Sequence, residues 1–251
     1  MDPGQVPVHS MTLPEIPRIT VLIPTKNEAA TIGSIVKGVR DHCDEVLVVD
    51  ARSTDGTARE AEAAGARVIF DDGKGKGAGL RMGLREASGD IVVCMDADGS
   101  HEIADISKLV DPVRRSEADM VVGCRMTGGS DELHGDIGKF ARFMGSMIIT
   151  LVINYRWNVR LTDVQNGFRA VRREIVPSLA LASNDFTIEE EMVMKCLRKE
   201  YRVMNVATHE YARRVGRSRI VLRKVWFGFG WVVIKNVLGL APVPNGARET
   251  V

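Results

Sequence analysis

The chain has 251 residues, 45% hydrophobic and 27% charged, the balance of a globular protein able to bury a sizeable core. Its net charge of +1 argues against a general nucleic-acid binder. Cys43, Cys94, Cys124 and Cys196 are scattered, with neither a CxxC pair nor zinc-like spacing, and read as reduced core thiols of a cytosolic protein.

In chain order, residues 1–17 hold several prolines and no sustained apolar run, so a disordered tail is expected rather than a signal peptide. Strand-length runs rich in β-branched residues follow at Ile19–Pro24, Glu45–Asp50, Arg67–Phe70, Asp90–Asp96 and Asp119–Gly123. Helical patterning lies between them at Ala29–Val39, Thr57–Ala64, Gly79–Ala87 and Ile103–Arg115. Thr31 or Asn27 would cap the first helix and Ser53 or Asp55 the second. This alternation predicts an α/β fold with a mainly parallel sheet covered by helices, over residues 18–220. Residues 221–251 would form an apolar, amphipathic C-terminal segment and tail.

In such sheets ligands bind beyond the carboxyl ends of the strands. Those ends carry Pro24-Thr25-Lys26-Asn27-Glu28, Asp50-Ala51-Arg52-Ser53, the glycine-rich run Gly73–Gly79, and Asp96-Ala97-Asp98. If extended geometry persists, Asp96 and Asp98 point to one side and share one cation. Their hard oxygens suit magnesium or manganese bridged to substrate phosphates. The glycine run permits close backbone approach, and Lys74 or Lys76 would neutralise phosphate. Residues 73–78 also fit a loose GxGxxA pattern, which makes a nicotinamide or flavin enzyme a rival reading, although nothing obvious supplies hydride chemistry.

Downstream, Phe140, Phe143, Met144, Met147, Ile148, Leu151 and Val152 recur at helical spacing, with Arg142 and Ser146 one turn apart on another face. Such a helix offers a phosphate site beside a greasy surface; the alternative is a plain core helix. Residues 213–224 hold six basic side chains and no acid, and run into Val225–Ile234, a pattern suited to an anionic membrane interface, the alternative being a helix that packs onto the domain or a partner subunit. No stretch reaches the ~20 apolar residues of a spanning helix. The acids of Asn184–Met192 read mostly as a solvated helix start. Chemistry that takes a proton from a substrate hydroxyl would need one of them (Asp185, Glu189, Glu190 or Glu191) as its base, with Asp163 a further candidate that more readily orients its own loop.

The ordered set VLIPTKNE (21–28), VLVVDARSTDGT (46–57), GKGAGLRMGL (75–84), ASGDIVVCMDADGSH (87–101), VVGCR (121–125), DVQNGFRAVRR (163–173) and RRVGRSR (213–219) resembles the family 2 glycosyltransferases of GT-A fold. Within them it is most similar to the polyprenyl- or dolichyl-phosphate sugar synthases. The resemblance implies an inverting transferase that moves a sugar from a GDP- or UDP-linked donor to a polyprenyl phosphate. It would be a peripheral protein at the cytoplasmic face of the membrane. Pro24, Thr25, Asn27, Glu28, Asp50, Lys76, Asp96 and Ala97 would bind the donor, and Asp96 and Asp98 would hold Mg2+ or Mn2+. Arg125, Arg142 and Ser146 would bind the acceptor phosphate, and Arg213 and Ser218 match a mobile RxxGxS segment. On this reading Asp98, Arg125, Arg142 and Arg213 are the catalytic set, and the partners are the lipid, the membrane surface, and a second copy or a membrane protein. The pattern departs from the family's at Ala51, at Ser100-His101-Glu102 and at Asn166. A hydroxyl acceptor, or a sugar-nucleotide binder without catalysis, are the alternatives. His101 reads as a surface residue or as a third metal ligand.

Overall fold

The computed structural model describes residues 16–131, 137–212 and 232–236, with residues 137–142 described by backbone alone. Seven strands form one sheet: β1 (Ile19–Thr25), β2 (Glu45–Asp50), β3 (Arg67–Phe70), β4 (Ile91–Cys94), β5 (Met120–Cys124), β6 (Arg169–Arg172) and β7 (Val203–Ala207). Their order is β3-β2-β1-β4-β6-β5-β7, and β6 alone runs antiparallel to its neighbours. The five strands expected from the sequence are present and mutually consistent with a mainly parallel sheet. The sequence reading did not include β6 and β7. Both are four or five residues long, and β6 begins and ends in arginine, so neither shows a sustained apolar run.

Helices cover both faces: α1 (Ala29–Val39), α2 (Thr57–Ala63), α3 (Lys76–Glu86), α4 (Ile106–Arg114), α5 (Arg125–Gly128), α6 (Ile137–Trp157), α7 (Val176–Leu179) and α8 (Ile188–Arg198). Strand alternation divides the core in two. Val21 and Ile23 of β1 pack with Ile32, Val36 and Leu109 of α1 and α4, while Leu22 between them packs with Leu80, Leu84, Ile153 and Met192 of α3, α6 and α8. A strand apolar on both faces has no polar positions to alternate, which is why these runs read as continuous hydrophobic blocks. Helix α3 lies tight on the sheet because Gly83 faces it: a Cβ there would run into Leu22 and Val49.

Two boundaries differ from expectation in ways that matter. Helix α3 starts at Lys76 rather than Gly79, so the second half of the glycine run, Lys76–Gly79, is the helix's first turn rather than a free loop. Strand β4 stops at Cys94, and Ala97 and Asp98 lie in a turn, so strand alternation does not carry through the acidic pair. The caps differ as well. Thr31 sits inside α1, and its hydroxyl donates to the Ala97 carbonyl at 2.7 Å. Asp55 accepts from the Thr57 amide at 3.1 Å, at the start of α2, and from the Ala29 amide of α1 at the same distance. Cys94, Cys124 and Cys196 are buried free thiols, and burial pushes Cys94 and Cys196 up to about 12. Of the expected C-terminal segment only 232–236 are described, a helical stretch in which Val233 is buried in the core cluster of Ile153.

Candidate active site

The chain winds outward from β1 to β2 and β3, then crosses to β4 on the other side of β1. The crevice beyond a sheet's carboxyl edge at such a switch point is the usual place for a ligand. Here it is walled by Thr25–Glu28 after β1 and by Met95–Asp98 after β4. The first wall is laced to the loop after β2: Asn27 N–H donates to Ser53 Oγ (2.7 Å), Thr54 N–H to Asn27 Oδ1 (2.9 Å) and Glu28 N–H to Thr57 Oγ1 (2.9 Å). Asn27 holds φ of 55°, a left-handed conformation that asparagine tolerates better than most residues. Asp50, fully buried, accepts from the Ser53 amide and hydroxyl. Pro24 and Thr25 close β1, and Thr25 Oγ1 is buried with no hydrogen-bond partner.

At the centre stands Lys76. Its Nζ lies 2.6 Å from Asp96 Oδ1 and 2.8 Å from Glu189 Oε1, so one ammonium balances two carboxylates. Burial disfavours the charge on Lys76, but the two acids outweigh it and hold its pKa above the ordinary lysine value. Burial likewise opposes ionisation of Asp96, and Lys76 with the His101 ring overcomes it, keeping that carboxyl well below the usual range. Asn166-Gly167-Phe168 backs onto this cluster, and a Cβ on Gly167 would sit 2.9 Å from Asp96 Oδ2. The site therefore needs glycine there.

The glycine turn is held from outside. Gly77 N–H donates to the Asn184 carbonyl at 2.9 Å, and Arg81 donates to the Ala182 carbonyl and to Asn184 Oδ1. The loop Ala180–Asp185 is in turn tied to α8. Glu191 accepts from the Ala182 and Ser183 amides and pairs with Lys195 at 2.8 Å, while Lys195 also donates to the Ala180 carbonyl. Contrary to the solvated helix start expected here, Glu189, Glu190 and Glu191 are all buried. Glu190 has no hydrogen-bond partner for either carboxylate oxygen, and burial first, then Glu189, push its pKa well above normal.

His101 is buried too, not a surface residue. It stacks on Phe168 with ring centroids 4.8 Å apart, and its Nε2 lies 3.6 Å from Asp96 Oδ2 without a hydrogen-bond partner. Asp98 is buried and accepts from the Ser100 amide and hydroxyl. Among the described residues no three His, Cys, Asp or Glu side chains form a ready metal cluster. Magnesium and manganese do not require one, because they take one or two carboxylates and fill the remainder with water and phosphate oxygens. The Asp96 carboxylate, with an orphaned buried imidazole nitrogen 3.6 Å away, fits that demand.

Arg125, at the start of α5, stands apart from this cluster. Its Nε and Nη2 reach both oxygens of the buried Asp163 at 2.7 and 3.1 Å, and Nη1 lies 3.7 Å from Glu210 Oε1. Asp163 thus orients an arginine as well as its own loop. Helix α6 contains positions 142 and 146 one turn apart, on the side shared with Ile149 and Ile153, which pack on the core. The side chain of Arg142 and all of Arg213 and Ser218 lie outside what is described. The opposite side of α6 exposes Met144, Met147, Ile148, Leu151, Val152 and Tyr155, with Leu151 68% and Tyr155 91% accessible. A plain core helix would not do this. Among the described residues no helix is long and apolar enough to cross a membrane.

The family model for glycosyl transferase family 2 matches residues 20–179, well over half of the chain and both walls of the crevice described above. The chain belongs to that family. Among curated relatives it is 34% identical over 206 residues to glycosyltransferase AglJ of Haloferax volcanii, covering 81% of this chain and 66% of that one. It is 31% identical over 219 residues to the undecaprenyl-phosphate mannosyltransferase of Micrococcus luteus, covering 81% of this chain and 87% of that one. The chain spans about two thirds of AglJ and 54% of a second Haloferax volcanii relative, the hexosyltransferase Agl6. Glucosyl-3-phosphoglycerate synthase from Mycobacterium tuberculosis, solved with Mn2+, UDP and phosphoglyceric acid, superposes with a TM-score of 0.69 at 24% identity, covering 92% of this chain and 80% of that one. That likeness establishes the GT-A architecture of the sheet.

Proposed function

We propose that the chain transfers a hexose from a nucleoside diphosphate to a polyprenyl phosphate at the cytoplasmic face of the membrane, inverting the anomeric centre. The observation that carries the choice of acceptor is the state of the acids beside the crevice. A hydroxyl acceptor needs a base free to take its proton. Here Glu191 is spent on Lys195 and two amides, Asp185 accepts from the Thr187 amide and hydroxyl, and Glu189 is paired with Lys76. A phosphate monoester is already anionic and needs cations instead, best supplied by arginine. Arg125 and Arg142, with Ser146, would hold it. The exposed apolar side of α6 would meet the lipid surface, and the mannosyltransferase relative acts, by its name, on undecaprenyl phosphate.

Thr25, Asn27, Glu28 and Asp50, with Pro24 and Ala97, would line the nucleoside end of the donor, and Lys76 would lie beside its diphosphate. Asp96 and Asp98 would hold Mg2+ or Mn2+. The ion, when bound, offsets charge developing on the departing diphosphate. The donor is a UDP- or GDP-linked sugar. Three atoms favour a second reading: Glu189 Oε2 and both Glu190 carboxylate oxygens are buried without a hydrogen-bond partner, burial raises the Glu190 pKa, and a hydroxyl acceptor would use one of these carboxylates as its base.

Thermal shifts with UDP- and GDP-sugars plus manganese identify the donor, and transfer is then measured to farnesyl phosphate. Arg142→Ala should raise the KM for farnesyl phosphate far more than that for donor. Equal effects on both would remove Arg142 from the acceptor site. Transfer to simple glycans, with none to farnesyl phosphate, would favour the hydroxyl reading.

A further inference from the structure

Arg125 is not a free cation waiting for an anion. Asp163, whose side chain is wholly buried, takes the Nε–Nη2 edge and fixes the plane of the guanidinium. Only the Nη1 end, with the second Nη2 hydrogen, is left to bind anything else. Glu210 stands at that end, with Oε1 3.7 Å from Nη1 and Oε2 accepting from Ser130 Oγ at 2.5 Å. Burial disfavours charge on Arg125, and Asp163 first, then Glu210, more than restore it. One guanidinium therefore faces two carboxylates. Among the described residues the local balance is negative, and a phosphate brought to Nη1 would meet repulsion from Glu210.

We propose that Glu210 is a resident counter-ion of the acceptor arginine, occupying the Nη1 end of Arg125 until an acceptor phosphate displaces it. The proposal rests on the reading of Arg125 as an acceptor-phosphate ligand. The geometry suits an exchange. At 3.7 Å the Arg125–Glu210 contact is an ion pair without a hydrogen bond, whereas the Asp163 contacts are short and bidentate. The backbone at 210 stays anchored: Glu210 N–H donates to the Gly129 carbonyl, its carbonyl accepts from Asp131 N–H, and Tyr211 N–H donates to the Ser100 carbonyl. The carboxylate can swing about its side-chain bonds while the strap that carries it remains in place. Exchange of one anion for another also sets selectivity. A phosphate brings charge to replace Glu210, whereas a neutral hydroxyl brings none and leaves the ion pair standing.

The test is calorimetric binding of farnesyl phosphate, with inorganic phosphate as a second probe and donor nucleotide as control. Removing one partly screened charge should make Glu210→Gln bind farnesyl phosphate roughly five- to tenfold tighter, with donor affinity unchanged. Glu210→Asp, which withdraws the charge without deleting it, should fall between and guards against a Gln variant that misfolds. In turnover the acceptor KM should fall while the donor KM stays put. Arg125→Gln combined with Asp163→Asn removes both partners of the buried pair and should weaken farnesyl phosphate binding. In that background Glu210→Gln should gain nothing. Unchanged or weaker binding by Glu210→Gln, with the Arg125 background still impaired, would overturn the counter-ion role and leave the acceptor site standing. Wild-type binding by the Arg125→Gln, Asp163→Asn protein would overturn the acceptor reading, and the counter-ion role with it.

Discussion

Replacing Lys195 with methionine tests whether the buried brace on α8 holds the glycine turn. Lys195 is fully buried and Glu191 is 3% exposed, and their charged atoms are 2.8 Å apart. Removing one member of such a pair costs about 3–5 kcal/mol, because the other charge stays behind in a poor solvent. Glu191 retains two amide donors, from Ala182 and Ser183, which places the expected loss near the lower figure, about 3 kcal/mol. For a chain of this size that is a fall in melting temperature of roughly 6–12 °C. Lys195→Met combined with Glu191→Leu removes both charges and should recover most of the loss.

Acid titration supplies an independent sign. Burial alone would raise the pKa of Glu191, but Lys195 and the Ser183 amide outweigh it and hold the folded value below normal. A depressed carboxyl contributes stability that is complete above its unfolded pKa, about 4.3, and is lost as pH falls through the lower folded value. Urea midpoints of wild type and Glu191→Gln should therefore differ at pH 6 and converge as the pH drops below about 4. A Lys195→Met protein within 1 kcal/mol of wild type, or a gap that widens in acid, would refute the reasoning.

Gly77→Ala should lower the melting temperature and weaken sugar-nucleotide binding, since its Cβ would lie 2.5 Å from the Ser183 carbonyl oxygen and force apart the turn that positions Lys76. The cost of such overpacking is about 1–3 kcal/mol, and an unshifted melt would show that the loop yields freely. Asp98→Ala should abolish manganese-dependent turnover while the protein stays folded by circular dichroism. Full activity in that variant would sink the metal assignment.

What could be read from the sequence divides along a physical line. The five parallel strands and the crevice at their ends follow from local periodicity, because Ile19–Thr25 or Glu45–Asp50 announce themselves within a few residues. The acidic pair was visible for the same reason. The pairing of charges was not, since it joins residues far apart in sequence: Lys76 with Glu189, Arg125 with Asp163 and Glu210. A run of three glutamates opening a helix looks like a solvated complement to the helix dipole, and nothing within that run records the cations that meet two of them, Lys76 from the glycine turn and Lys195 a turn further along. His101 misled in the same way, because the ring that buries it, Phe168, lies beyond β5 and α6.

The consequence for function is that the cations cannot be counted as available merely because they lie near the crevice. Lys76 is committed to two acids, and Arg125 is bidentate to a third and faces a fourth. On the proposed reading a phosphate-bearing substrate would enter a site whose cations each already face two carboxylates, so its affinity would depend on which resident anion yields most easily. Asp163 is buried and doubly bonded, and Asp96 and Glu189 are both held at short range by Lys76. Glu210 alone among these meets its cation beyond hydrogen-bonding distance. On the proposed reading, that asymmetry would direct an incoming acceptor phosphate to Arg125 and leave the Lys76 cluster intact beside the donor.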